Sequence, residues 1–143
     1  MKTAHILLVE DNPGDVLLTI EALKERKFIH KMSVAKNGVE ALDFLFKRGE
    51  FKDAQTPDLI LLDINLPLKN GHEVLEEIKA SDATKKIPVI ILSTSSNKID
   101  IDKAYETHVN GFVTKPLDIG EFILAISKIE EFWIQLVKLP VNE

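Results

Sequence analysis

The chain has 143 residues, 45% hydrophobic and 29% charged, with a formal net charge of −5, and these proportions exclude disorder and collagen-like repeats. It has no cysteine, which removes disulfide scaffolds and thiolate metal sites. The mildly acidic balance has no basic stripe and argues against nucleic-acid binding, while the absence of any apolar run near the roughly 18 residues of a bilayer span argues against a membrane segment.

Met1-Lys2-Thr3 leads into a short apolar run that stops at Glu10-Asp11, without the longer core or cleavage site of a signal peptide. A soluble cytoplasmic protein is expected. His5-Ile6-Leu7-Leu8-Val9 is the first strand. Asp11-Asn12-Pro13-Gly14-Asp15 carries helix-start chemistry, and Val16, Leu17, Ile20 and Leu23 follow at helical spacing. Lys31 to Ala35 reads as a weaker second strand. After the Asn37-Gly38 turn, Val39, Leu42, Leu45 and Phe46 make a second amphipathic helix. Lys47 to Pro57 is a polar loop with room for a partial helical extension.

Asp58-Leu59-Ile60-Leu61-Leu62-Asp63 is apolar throughout its middle, the pattern of a strand buried on both faces. Gly71 to Ala80 gives a third helix with Val74, Leu75 and Ile78 inward. Pro88 to Ser93 is a fourth strand, and a helix follows over roughly Ile99 to His108. Gly111 to Thr114 is a short fifth strand ended by Lys115-Pro116. Asp118 is an N-cap candidate for a last helix reaching about Leu136. The whole reads as one domain, with its core over about 4–136 and a short tail at 137–143.

Apolar strands joined by helical crossovers predict an α/β fold, a doubly wound five-stranded parallel sheet covered on both faces. In such folds the site lies outside the carboxyl ends of the strands. Glu10-Asp11, Asp63, Ser93-Thr94 and Lys115 all stand just after a strand. Converging carboxylates repel one another unless a cation sits among them. Their oxygen ligands suit a hard ion, with Mg2+ the usual choice where one or two carboxylates share it with phosphate. A lysine at the same point can hold phosphate oxygens. These parts describe phosphoryl transfer, in which a carboxylate can itself be the nucleophile.

Glu10-Asp11, Asp63 with Pro67 and Gly71 behind it, Pro88 to Ser93, and Lys115-Pro116 together resemble the receiver domain of bacterial response regulators, over about Ala4 to Leu136. The resemblance implies a flavodoxin-like (βα)5 receiver with strand order 2-1-3-4-5. It implies that Asp63 is phosphorylated by a sensor histidine kinase. Asp11 would then be a direct metal ligand, Glu10 a ligand mainly through water, and the main-chain carbonyl of Asn65 would complete the protein's share of the shell. The ion would be Mg2+, with Mn2+ as a substitute. Lys115 would pair with Asp63 and then with the phosphoryl group. Ser93 would be the switch hydroxyl and Phe112 the switch aromatic, and the Lys115-Pro116 bond would be cis. The protein would not be an enzyme with an outside substrate but a phosphoacceptor assisting its own phosphorylation and dephosphorylation.

Thr94 stands where receivers usually carry alanine or glycine, Leu66 replaces a frequent methionine, and Phe112 lacks a tyrosine hydroxyl. None of these removes a reacting group. The segment Glu10 to Asp15, the long loop 47–57, Ser93-Thr94-Ser95-Ser96 and the tail Glu131 to Pro140 resemble one subfamily, the stand-alone regulators paired with bacterial phytochrome histidine kinases.

Taken singly, each acidic residue is more simply a helix cap or solvated charge, Lys115 a surface lysine and Ser93 a strand-end hydroxyl. Only their joint placement favours function. His5, His30, His72 and His108 show no ligand spacing and read as structural. A phosphatase of the haloacid dehalogenase type is the competing enzyme reading, but Asp63-Ile64-Asn65 lacks its second aspartate. A flavodoxin-like binder would need a phosphate-cradling loop where Glu10-Asp11 stands. In the last helix, Phe122, Ile126, Ile129 and Trp133 supply one apolar stripe, and Ile123, Phe132, Ile134 and Val137 fall outside it. Surplus apolar surface of this kind marks interfaces, so a homodimer through Phe132 and Trp133 is expected, against the alternative that the tail folds back on its own core.

Overall fold

The structure, a computed structural model, describes residues 3–140; Met1, Lys2 and the last part of the tail, 141–143, lie outside the described residues. Five strands alternate with five helices: β1 Ala4–Val9, α1 Pro13–Leu23, β2 Ile29–Ala35, α2 Gly38–Leu45, β3 Leu59–Leu62, α3 Gly71–Ala80, β4 Val89–Ser93, α4 Lys98–Glu106, β5 Gly111–Thr114 and α5 Ile119–Ile129. All pairings are parallel and the strand order is β2-β1-β3-β4-β5, the expected doubly wound order. The long loop carries one 3-10 turn, Gly49–Phe51.

The sheet is buried on both faces because successive side chains point to opposite sides. Leu7, Val9, Ile60, Leu62, Val89 and Ile91 join α2 and α3 in one core cluster. Ile6, Leu8, Leu59, Leu61, Ile90 and Leu92 join α5 in the other. Every residue of β1, β3 and β4 is buried, which is why these segments read as unbroken apolar runs. Each fully buried Leu or Ile contributes roughly 1.5–3 kcal/mol against its exposed state.

The helices start on Asn12, Asn37, Asn70, Asn97 and Asp118, whose side chains accept backbone N–H groups of the first turn. Asn70 and Glu73 form a reciprocal capping box. These caps all lie at the carboxyl edge of the sheet, so each helix begins beside the place where the strands end.

Three expectations are corrected. Leu17 was expected to face inward but is 60% exposed. Thr19 takes the buried position instead, its hydroxyl donating to the Asp15 carbonyl at 2.8 Å, so that no polar group is stranded. The Lys115-Pro116 bond is not cis; the trans form is the lower-energy one for X–Pro by ~0.5–1 kcal/mol, and the Lys115 ammonium reaches its carboxylates from it. The last helix reaches Leu136 as expected, but beyond Ile129 it widens into a π-helical segment, Glu130–Leu136.

Candidate functional site

The carboxyl edge gathers residues far apart in sequence. Glu10 and Asp11 follow β1, Asp63 follows β3, Ser93 ends β4 and Lys115 follows β5. Carboxylate oxygens of Glu10, Asp11 and Asp63 lie within 4.8 Å of one another. Glu10 and Asp63 are buried and Asp11 is exposed, so the cluster opens to solvent on the Asp11 side.

Lys115 reaches into this cluster from the end of β5, the edge strand. Its Nζ donates to Glu10 Oε1, to Asp15 Oδ2 at 2.8 Å and to Asp63 Oδ2 at 3.5 Å. Asp15 was read from the sequence only as part of a helix start, and it is the site residue that reading missed. It does lie in the capped first turn of α1, where Asn12 Oδ1 accepts its N–H at 3.1 Å. Its second role depends on Lys115, 100 residues away, and local pattern carries no sign of that.

The electrostatics are unbalanced. Four carboxylates, Glu10, Asp11, Asp15 and Asp63, face one ammonium. Burial pushes the Glu10 carboxyl up to about 7; the hydrogen bond from Lys115 opposes this, and the neighbouring charge of Asp63 adds to it. Burial by itself would lower the Lys115 ammonium, but hydrogen bonds to Asp15 and Glu10 and the charge of Asp63 hold it well above the ordinary lysine value. Lys115 is thus a fixed cation with more negative charge around it than it can neutralise. The donor set is all oxygen, which fits a hard divalent ion.

The loop after Asp63 is held tightly. A Cβ on Gly71 would collide with the Asp63 carbonyl, and one on Gly38 with the carbonyl of Lys69. These two close approaches need glycine. The Gly71 N–H donates to Ile64 at 2.8 Å, and the Asn65 N–H points to Asp63 Oδ1 at 3.4 Å. The Ile64 carbonyl accepts from both Leu66 and Gly71, whereas no described donor meets the Asn65 carbonyl.

Ser93 is fully buried, and its Oγ accepts the Ser95 N–H at 3.3 Å. In register Ser93 stands opposite Thr114, and Phe112 opposite Ile91. Phe112 is partly buried against the cluster that contains Ile91, which makes it the diagonal neighbour of Ser93 on that face. The expected Asp63, Glu10, Asp11, Lys115, Ser93 and Phe112 are therefore all at or beside one edge. Phe132 and Trp133 belong to the terminal segment and are not part of it.

His5 is buried with Nε2 2.8 Å from Ser33 Oγ, and His72 is buried beside Asp100. No described helix is long and apolar enough to cross a membrane.

Comparison with known proteins agrees with this geometry. A family model described as the response regulator receiver domain matches residues 6–127. Response regulator Rcp1 of Synechocystis sp. is 43% identical over 135 residues, covering 94% of this chain and 92% of that protein. Among solved structures, the phosphorylated cyanobacterial phytochrome response regulator RcpA superposes with a TM-score of 0.95 at 44% identity, covering 97% of this chain and 99% of that one. The Mn(2+)-bound form of response regulator Rcp1 superposes with a TM-score of 0.94 at 42% identity, covering 96% and 99%.

Proposed function

The chain belongs to the response regulator receiver domain family and is a two-component signalling protein, and from that premise we propose that Asp63 accepts a phosphoryl group from a histidine kinase in the presence of Mg2+. The observation that carries this reading is the convergence of Glu10, Asp11 and Asp63 under the Lys115 ammonium at one sheet edge. The haloacid dehalogenase alternative lacks support: Asn65 occupies the position where its acid/base aspartate would stand.

In the proposed reaction a carboxylate oxygen of Asp63 attacks phosphorus in line. The bond from phosphorus to the donor breaks, and the donor leaves with that bond's electron pair. Lys115 pairs with phosphoryl oxygen and offsets the charge that Asp63 gains. Bound Mg2+ would supply Lewis-acid neutralisation of the phosphoryl oxygens. Asp11, Asp63, the Asn65 carbonyl and, through water, Glu10 would hold it. The Gly71 and Gly38 contacts keep the Asp63 loop from shifting, so the nucleophile is positioned before the donor arrives. In dephosphorylation a water oxygen would attack phosphorus in line, the bond from phosphorus to Asp63 would break with its electron pair returning to the carboxylate, and inorganic phosphate would leave carrying the water's oxygen and protons.

Ser93 then turns its hydroxyl to the phosphoryl oxygen, and Phe112 follows into the space it leaves. This alters the surface formed by α4, β5 and α5. The relatives named as phytochrome response regulators support a phytochrome-type kinase as the donor, acting in the cytoplasm.

The terminal segment supports a homodimer as the output. Phe122, Ile126 and Ile129 are buried, and Trp133 and Ile134 pack partly on the same core, so the tail does fold back in part. Phe132 and Leu136 nevertheless stay 51% and 71% exposed. Exposed aromatic and aliphatic surface on one helical face suits a twofold contact, in which the same patch serves both subunits.

The deciding experiment is incubation with Mg2+ and acetyl phosphate followed by intact mass measurement. Wild type gains the mass of one phosphoryl group, and Asp63→Asn gains none. Equal labelling of the two proteins overturns the assignment.

A further inference from the structure

Beside the acceptor site lies a second polar network that phosphoryl transfer does not use. Ser95 donates its N–H to Ser93 Oγ at 3.3 Å, and its own hydroxyl donates to Asp100 Oδ2 at 2.7 Å. The other oxygen, Asp100 Oδ1, lies 3.2 Å from His72 Nε2. One carboxylate in the first turn of α4 thus ties the β4–α4 loop to the start of α3. His72 is buried and its Nδ1 has no described partner, so Asp100 is the polar anchor of that ring among the described residues. His72 directly follows Gly71, which packs on the Asp63 carbonyl. Both ends of the network therefore border the acceptor site.

α4 has little else to hold it. Ala104 is its one buried residue, while Ile99 and Tyr105 are exposed. A helix gains most of its stability from packing an apolar face, and this helix buries Ala104 fully and Ile101 only in part. Its first turn is fixed by the Asn97 cap and by Asp100. The hydrogen bonds from Ser95 first, and from His72 second, hold the Asp100 carboxyl below the usual aspartate value.

We infer that Asp100 is a positioning residue for the phosphorylation response: acting through Ser95, it holds the Ser93 hydroxyl in its unphosphorylated orientation and clasps the start of α4 against α3. The inference rests on Ser93 being the switch hydroxyl. In this proposal the turn of Ser93 Oγ toward a phosphoryl oxygen carries it away from the Ser95 N–H that it accepts at 3.3 Å, so the clasp contributes to the free-energy gap between the two states. Weakening the clasp shifts the population toward the phosphorylated-like state before any phosphate arrives.

The test is hydrogen exchange over residues 94–106 together with the rate of acetyl phosphate labelling, in the full chain with Mg2+. Asp100→Ala and Ser95→Ala should raise exchange in that segment of the unphosphorylated protein by about threefold to tenfold, the size expected from losing one ordinary hydrogen bond. Labelling at subsaturating acetyl phosphate should accelerate by a similar factor. Asp100→Asn keeps an oxygen that accepts from Ser95 but sets an amide N–H against the donating His72 Nε2, so its exchange and labelling should fall between wild type and Asp100→Ala. A merely structural role predicts the opposite pattern: exchange raised throughout the chain and labelling slowed, which would overturn the inference. Wild-type exchange and labelling in Asp100→Ala would overturn it too. Ser93→Ala separates the two levels. If that variant is labelled yet keeps the full phosphorylation-dependent change over 94–106, the switch reading fails and the clasp fails with it. If Ser93→Ala loses the change while Asp100→Ala behaves as wild type, the clasp alone fails.

Discussion

Two buried glutamates sit in opposite circumstances in this protein. Glu10, 3% exposed, lies at the carboxyl edge among Asp11, Asp15 and Asp63, and shares one ammonium with Asp15 and Asp63. Glu130, 1% exposed, lies in the terminal segment, and both of its oxygens accept from Gln135 Nε2, at 2.7 and 2.9 Å. The first region is assembled from three chain segments and carries an excess of negative charge. The second is local, five residues apart, and is satisfied by a neutral donor. Burial alone therefore does not mark a functional carboxylate. What marks it is the crowding of several carboxylates around one ammonium, because their mutual repulsion is relieved only when a further cation is present.

Substitutions sort the two regions. The largest effect is expected from Asp63→Asn, which should abolish phosphoryl labelling as read by intact mass. Glu130→Gln should leave the labelling rate as in wild type. A loss of labelling there would mean that the terminal segment takes part in the chemistry.

Next in size is metal binding. Mg2+ at about 100 times its dissociation constant should stabilise wild type by about 2.7 kcal/mol through mass action, read as a rise in melting temperature. Asp11→Ala should lose most of that rise and Glu130→Gln none. Equal shifts in wild type and Asp11→Ala would place the ion elsewhere.

The terminal segment should respond in assembly and stability instead. Phe132→Ala should shift sedimentation toward monomer with little change in melting temperature, since the ring is half exposed. Ile126→Ala, by contrast, removes a fully buried side chain and should cost about 2–5 kcal/mol in denaturant unfolding. If Phe132→Ala and wild type sediment as the same monomer with and without acetyl phosphate, the tail serves only the core.

The smallest effect concerns pH, through a third buried group. Burial lowers the His5 imidazole below its ordinary value of 6.5. The folded protein therefore holds His5 neutral where the unfolded chain would protonate it. Its contribution to stability is complete above 6.5 and is lost as pH falls from there toward the folded value. His5→Phe should flatten the stability curve just below pH 6.5. An identical pH dependence in the variant would show that other groups set that limb.

Much of the fold was legible in advance because its signals are local. Unbroken apolar runs identify β1, β3 and β4, and the Asp11 to Asp15 turn, Asn37-Gly38, Gly71 and the Asp118 cap mark where helices begin, whereas the caps Asn70 and Asn97 emerge only in the structure. The third helix was bounded at Gly71 and Ala80, as found. The errors came where two faces of one helix are both apolar. In α1 the spacing allows Leu17 inward, but packing on the sheet and α5 turns Thr19 in instead. The change to a π-helical turn after Ile129 has no pattern to announce it; there a side-chain hydrogen bond from Gln135 Nε2 to the Glu130 carboxylate spans the same five residues.

The sequence by itself determined which residues end each strand, and the rule that parallel sheets bind at their carboxyl edge then selected Glu10, Asp11, Asp63, Ser93 and Lys115. Only the tertiary structure decided that Asp15 joins Lys115, that Ser95, Asp100 and His72 form one clasp, and that Glu130 is satisfied without a cation. The reason is the range of the interactions. Strand ends and caps are set by neighbours a few residues away, whereas a buried charge is set by whatever the fold brings within hydrogen-bonding distance, here from as far as 105 residues along the chain.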